Sequence, residues 1–313
     1  MRIVFMGTPD FAVPSLHRLI KEGYQVVGVV TQPDRPKGRK QILTPPPVKE
    51  LALQYGIPVH QPEKIRRPEE LTIVKEWAPD LIVTAAFGQI LPKALLEMPK
   101  LGCINVHASL LPKYRGGAPI HYAVINGEKE SGVTIMYMVE ALDAGDIISQ
   151  AAIPVDERDT VGTLYEKLRM LGADLLARTL PDIMAGKVKA IPQDPAQVTY
   201  APNIKREDEQ LNFSRSAQEL YNQVRGLNPW PVAFTTLHGQ VLKVWWTEWS
   251  SQDAKSLPGT IEAITEDGIE VATAKGRLIL KEVQPAGKRR MSVADYLRGS
   301  SIEVGMRFES IYE

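Results

Sequence analysis

Up to about residue 155 the chain alternates short, almost wholly apolar runs with stretches of helical periodicity, and few folds accommodate that alternation. The runs cover residues 3–6, 26–30, 81–86, 103–106, 133–138 and 147–153. Between the first two, Ala12, Leu16, Leu19 and Ile20 share one helical face and Gly23 suits a helix end, so a strand is followed by a helix. Residues 48–55 and 69–77 repeat the helical pattern, and 58–60 fit a short edge strand. Runs without polar alternation need cover on both faces. The expected fold class is therefore α/β, a doubly wound, mostly parallel, Rossmann-like sheet.

Residues 160–184 read as one long helix, with Val161, Leu164, Leu168, Leu171, Leu175 and Met184 close to a single stripe. Asp159 or Thr160 can cap its start and Gly186 can end it. Beyond it, Pro192, Pro195 and Pro202 interrupt a stretch with little periodicity, which reads as a linker. The expected domains are 1–189, a linker over 190–206, and 207–313. In the last of these, a helix around 216–225 is followed by about five strand-like runs. The turn signals between them are His238-Gly239, Pro258-Gly259, Asp267-Gly268 and Lys275-Gly276. Such a series suits a small C-terminal β-barrel, OB-like by analogy.

Composition narrows the function classes. Lys plus Arg equals Asp plus Glu at 37 each, so no global positive field favours a polyanionic partner. Residues 203–313 carry 14 basic and 15 acidic side chains, so any nucleic-acid contact there must be local. The lone cysteine, Cys103, lies in an apolar run; it excludes an intrachain disulfide and fits a reducing compartment. The chain opens directly on an apolar run and holds no stretch of about 20 apolar residues, which points to a cytoplasmic protein without membrane contact. A monomer is expected. The five histidines show no close-spaced ligand cluster, so no metal is expected.

Asn105 and His107 stand two apart on a strand-like run and so share a face, at a strand end where α/β folds gather ligands. An Asn amide can hold a developing oxyanion, and a histidine can donate to it or move a proton. Asp143, beside Gly145 in a break between two apolar runs, is the best partner for the imidazole. A histidine satisfied by a backbone carbonyl, with the aspartate making a turn, fits the same spacing. Gly7-Thr8-Pro9-Asp10 follows the first strand but lacks the further glycines that admit a pyrophosphate, so neither nicotinamide nor flavin is expected. Arg35, Lys37, Arg39 and Lys40 crowd one loop, and Lys288, Arg289 and Arg290 form a second basic cluster; each is compatible with plain solvated surface.

The wording of these segments goes further than their spacing. Asn105-x-His107-x-Ser109-Leu110-Leu111-Pro112 followed by Leu142-Asp143-x-Gly145 closely resembles the signature of the folate-dependent formyltransferases. Gly7-Thr8-Pro9-Asp10-Phe11-Ala12, Thr31-Gln32-Pro33-Asp34-Arg35-Pro36 and Met291-Ser292-x-x-Asp295 resemble the members of that family that act on initiator Met-tRNA. The resemblance spans residues 4 to about 299, with Lys113-Tyr114 and His121 as mild departures. It implies 10-formyltetrahydrofolate as co-substrate and the α-amino group of methionine on initiator tRNA as acceptor. Asn105, His107 and Asp143 would be catalytic, and Ser109, Leu110, Leu111 and Pro112 would line the folate pocket. Phe87, Gly88, Gln89, Ile90 and Leu91 would form the opposite wall. It also implies tRNA contact through Arg39 above all, with Arg35, Lys37 and Lys40, and through the barrel's Lys288, Arg289 and Arg290. The alternatives are a formyltransferase of a small amine, a formyl-folate hydrolase, or a noncatalytic RNA-binding module.

Overall fold

The structure, a computed structural model, describes residues 1–309. The domain expected over 207–313 runs past that limit by four residues. Two compact units result, the first made of Met1–Pro119, Ser131–Ile153 and Tyr165–Ala201. The second comprises Ile120–Glu130, Pro154–Leu164 and the described residues from Pro202 on.

In the first unit the apolar runs become the strands of a seven-stranded sheet. They are β1 (Arg2–Gly7), β2 (Gln25–Val30), β5 (Val59–His60), β6 (Leu81–Ala85), β7 (Cys103–His107), β8 (Glu130–Tyr137) and β9 (Ile147–Pro154). A two-stranded hairpin, β3 (Arg35–Lys37) and β4 (Ile42–Thr44), stands apart from it. The sheet order is β5-β2-β1-β6-β7-β8-β9, parallel from β5 through β7, with β8 antiparallel to β7. Ile3, Val4, Phe5, Met6, Ile82, Val83 and Ile104 are fully buried, as strands covered on both faces must be. The chain turns from β1 toward β2 on one side, while β6 and β7 lie on the other. That reversal is the kind of switch point where open α/β sheets bind ligands, at the strands' carboxyl ends. The loops carrying the candidate residues leave there.

The segment expected as a linker is tied to this unit. Ile191 and Ile147 exchange backbone hydrogen bonds at 2.8 and 2.9 Å, and residues 199–201 run beside loop 112–118 with a parallel bridge between Arg115 and Tyr200. Prolines stop such a stretch from forming a helix, but its other amides still need partners.

The second unit carries an antiparallel sheet of β10 (Ala233–Leu237), β11 (Gln240–Ser250), β12 (Ile261–Thr265), β13 (Gly268–Ala272), β14 (Arg277–Pro285) and β15 (Met291–Ser292). Their order is β10-β11-β14-β13-β12, with β15 on β14. Isolated bridges Thr236 to Glu309 and Thr260 to Arg307 join both edge strands to one final segment, which covers edges that would otherwise stay open. Residues 120–130 and 154–164 group here: Ile125 packs on this unit's core, Tyr221 Oη donates to the Glu157 carbonyl at 2.8 Å, and Arg225 Nη1 donates to the Asp159 carbonyl at 3.0 Å. Among the described residues no helix is long and apolar enough to cross a membrane.

Candidate active site

Asn105 and His107 end β7, where the sheet gives way to loop 108–118. Thr84, directly opposite Asn105 on β6, donates its hydroxyl to Asn105 Oδ1 at 2.8 Å. The amide oxygen is thereby occupied and the NH2 group is left to face away from it. His107 is buried, with Nε2 3.0 Å from the Tyr114 carbonyl oxygen and Nδ1 3.7 Å from Asp143 Oδ2. A carbonyl can only accept, so Nε2 is the nitrogen that keeps its hydrogen. Nδ1 is then the nitrogen on the Asp143 side. Asp143 therefore stands at ion-pair distance from the imidazole, beyond hydrogen-bond reach.

Loop 108–118 is built from within. Ser109 Oγ donates to the Lys113 carbonyl at 2.7 Å, and Thr134 Oγ1 donates to the Ser109 carbonyl at 2.6 Å. Thr134 Oγ1 also accepts from the Leu111 amide at 3.1 Å, and Gln150 Nε2 donates to the Leu111 carbonyl at 2.8 Å. The Leu111–Pro112 peptide is cis. Ser109 and Leu111 are buried, so the side chains of the Ser109–Pro112 turn with exposed surface are Leu110 and Pro112.

Asp143 sits at φ 47°, a left-handed conformation that costs a non-glycine residue roughly 1–2 kcal/mol. Neighbours hold it there. Its Oδ2 accepts from the Gly116 amide at 2.8 Å, and Gln193 Nε2 donates to the carbonyls of Asp143 and Gly145 at 2.7 and 2.8 Å. Gln193 Oε1 accepts from Arg115 Nε and Nη2 at 3.0 and 2.7 Å. Gly145 is required: a Cβ there would lie 1.7 Å from the Tyr137 carbonyl oxygen. Thr84, Arg115 and Gln193 were not among the expected site residues. Gln193 had no local signal, since a glutamine between two prolines in an aperiodic stretch reads as linker.

On the other side of the switch point, the loop after β6 is cross-linked by polar side chains. Thr8 Oγ1 and Gln32 Nε2 donate to the Phe87 carbonyl at 2.9 and 3.2 Å. Gln89 spans from the Ile65 amide, 2.7 Å from its Oε1, to the Pro62 carbonyl, 2.9 Å from its Nε2. Phe87 and Leu91 are buried, Gly88 takes φ +86°, and Ile90 is 83% exposed. Of the five, Ile90 has the side chain most available to a ligand.

The basic loop folds as the β3–β4 hairpin. Its base is anchored where Lys49 Nζ and Gln61 Nε2 donate to Asp34 at 2.9 and 2.6 Å, contacts that hold the Asp34 carboxyl below the usual range. Arg35 pairs with Glu63 at 2.8 Å, while Lys37, Arg39 and Lys40 are exposed together with Ile42 and Leu43. In the second unit Arg290 stacks over Trp245 at 4.7 Å and pairs with Glu282, next to exposed Lys288 and Arg289. Among the described residues no three His, Cys, Asp or Glu side chains are grouped so as to hold a metal ion.

Residues 1–180 match the formyl transferase family, and residues 203–301 match the C-terminal domain of formyl transferases. Methionyl-tRNA formyltransferase of Bacillus subtilis (strain 168) is 61% identical over 305 residues, covering 97% of this chain and 96% of that one. The protein of the same name from Halalkalibacterium halodurans is 57% identical over 98% of this chain and 97% of its own. Among solved structures, a sugar 3N-formyl transferase superposes with a TM-score of 0.67 at 21% identity, over 92% of this chain and 99% of that one. HypX from Aquifex aeolicus in complex with tetrahydrofolic acid does so with a TM-score of 0.63 at 16% identity, over 98% of this chain and 50% of that one. At such identities these two structures speak to the fold alone.

Proposed function

Because the chain belongs to the formyl transferase family, we propose that it moves a formyl group from 10-formyltetrahydrofolate to the α-amino group of methionine on initiator methionyl-tRNA. One observation carries this. An amide, an imidazole and a carboxylate gather at the carboxyl end of β7, in a chain matched almost end to end by methionyl-tRNA formyltransferases.

The neutral amine attacks the formyl carbon, and the carbonyl oxygen gathers negative charge. The Asn105 NH2, whose amide oxygen is occupied by Thr84, donates to that oxyanion. His107, when protonated at Nδ1, is a second donor. The amine loses one proton as the carbon–nitrogen bond forms, and N10 of the folate gains one as its bond to the formyl carbon breaks. Nδ1 of His107 and Asp143, 3.7 Å apart, take up and return that proton. The products are the N-formyl amide and tetrahydrofolate, with atoms and charge balanced. Leu110, Pro112 and Ile90 offer apolar surface to the folate, and the backbone of the loops after β6 and β7 offers polar groups to its pterin edge.

The tRNA contacts assigned to this chain are Arg39, Lys37 and Lys40 on the hairpin, with Arg35 at its base, and Lys288, Arg289 and Arg290 in the second unit. All are exposed, as phosphate contacts need to be. In this role the protein acts as a monomer in the cytoplasm, with translation. The test is to incubate the protein with 10-formyltetrahydrofolate, offering Met-tRNA, a small amine or an amino sugar as acceptor. Formylation of Met-tRNA at least a hundredfold faster than of the others is expected. Formylation of a small amine alone, or release of formate without acceptor, overturns the assignment.

A further inference from the structure

Resting on the transfer reaction proposed above, we propose that Gln193 is a positioning residue for Asp143, and that Arg115 orients it. Segment 191–201 is thereby a strap that holds both loops of the active site in register. Gln193 is buried and its amide is fully committed: both hydrogens go to backbone carbonyls of the Asp143 loop, and its oxygen takes two donors from one guanidinium. Arginine can only donate, so it dictates which end of the amide is oxygen and which is NH2. The NH2 must then face the Asp143 and Gly145 carbonyls, and Asp143 is the residue held in the left-handed conformation.

The same strap fixes the loop on the imidazole side. Thr199 accepts the Arg115 amide on its carbonyl at 2.9 Å and the Tyr114 amide on its Oγ1 at 2.9 Å. Tyr114 supplies the carbonyl that faces His107 Nε2, and Gly116 supplies the amide that holds Asp143 Oδ2. Both contacts that set the His107–Asp143 pair therefore come from a loop bonded to the strap. Without Gln193, the Asp143 and Gly145 carbonyls lose their donors, and the Gly116 amide on Oδ2 is left to hold Asp143 against relaxation out of its strained conformation. The carboxylate then leaves Nδ1, while the folate-facing side chains of the β6 and β7 loops stay where they are.

The experiment compares Gln193→Ala, Gln193→Glu, Asp143→Asn and the double variant Gln193→Ala/Asp143→Asn in formyl transfer to Met-tRNA. Amide exchange is read over residues 141–146 and 103–107. Gln193→Ala should lower kcat by about 10- to 100-fold, with both KM values within about twofold of wild type, as expected for a group acting on the transition state. Gln193→Glu keeps the shape but sets a carboxylate against two carbonyls, and should lose at least as much. In the Asp143→Asn background, Gln193→Ala should cost no more than about a further twofold, because neighbours acting as one unit are non-additive. Exchange over 141–146 should quicken in both Gln193 variants while 103–107 stays protected. Multiplicative losses in the double variant, a loss confined to KM, or unchanged exchange over 141–146 overturns the proposal. If Gln193→Ala fails to fold, Gln193→Glu decides by the same readouts. A wild-type protein that does not formylate Met-tRNA defeats the transfer reading instead, and the exchange data still judge the strap.

Discussion

Residues 35–44 and 191–201 both belong to the first unit, both carry proline, and neither shows apolar periodicity, yet the structure uses them in opposite ways. The first folds back on itself as a hairpin whose ladder bonds are internal, and its tip presents Lys37, Arg39, Lys40, Ile42 and Leu43 to solvent. The second sends its backbone and the buried amide of Gln193 into two neighbouring loops. Composition hardly separates the two. What separates them is where their polar groups find partners, since each backbone amide and carbonyl must be satisfied somewhere. A segment satisfied by itself is free to meet a partner molecule; a segment satisfied by its neighbours positions them.

The largest expected effect lies in the groups that the strap holds. His107→Ala and Asp143→Asn should each lower kcat for formyl transfer by at least about a thousandfold, with the melting temperature near that of wild type. Near-normal turnover in either variant would remove the reason for a strap. Next, replacing hairpin residues 36–43 by a short glycine linker should reduce kcat/KM for Met-tRNA by about a hundredfold. Equilibrium binding of 10-formyltetrahydrofolate should not change, and Arg39→Ala alone should flatten the salt dependence of tRNA binding. Equal loss of folate binding would make the hairpin a structural element like the strap.

Thr199→Val, which removes the acceptor for the Tyr114 amide, should cost about 1 kcal/mol in urea unfolding and a few-fold in kcat, leaving KM for Met-tRNA unmoved. The smallest effect is expected at the hairpin base. The Asp34 carboxyl is held below its ordinary pKa, so its contribution is complete above the unfolded value and is lost as pH falls through the lower folded one. Hairpin amide protection, corrected for intrinsic exchange, should be flat from pH 8 to 5 and decline only below that. Asp34→Asn should abolish the decline while moving the melting temperature by no more than about 1 °C. Protection that already falls between pH 7 and 5 would mean that another group anchors the hairpin.

Legibility follows the same division. The strands of the parallel sheet could be read because burial on both faces leaves an uninterrupted apolar run, as in Ile3–Met6 and Leu81–Ala85. Asn105 and His107 could be placed on one face because side chains alternate along a strand. The grouping of 120–130 and 154–164 with the C-terminal unit was not legible, because it rests on Ile125, Tyr221 and Arg225 meeting residues distant in sequence. Ser109 and Leu111 sit in a recognisable motif, yet their side chains turn inward to brace the loop, a matter of packing that the motif does not encode.

By itself the sequence determined the class of sheet and the antiparallel character of the C-terminal unit, and it singled out the three side chains of the candidate site. Each of these depends on local periodicity or on a contiguous motif. Only the tertiary structure decided that Asp143 stands 3.7 Å from His107 Nδ1, that Thr84 occupies the Asn105 amide oxygen, and that Gln193 and Arg115 support the Asp143 loop. Those are an ion-pair contact and hydrogen bonds between residues up to 78 positions apart, and a single amide, hydroxyl or carboxylate carries no mark in sequence of the partner that will satisfy it.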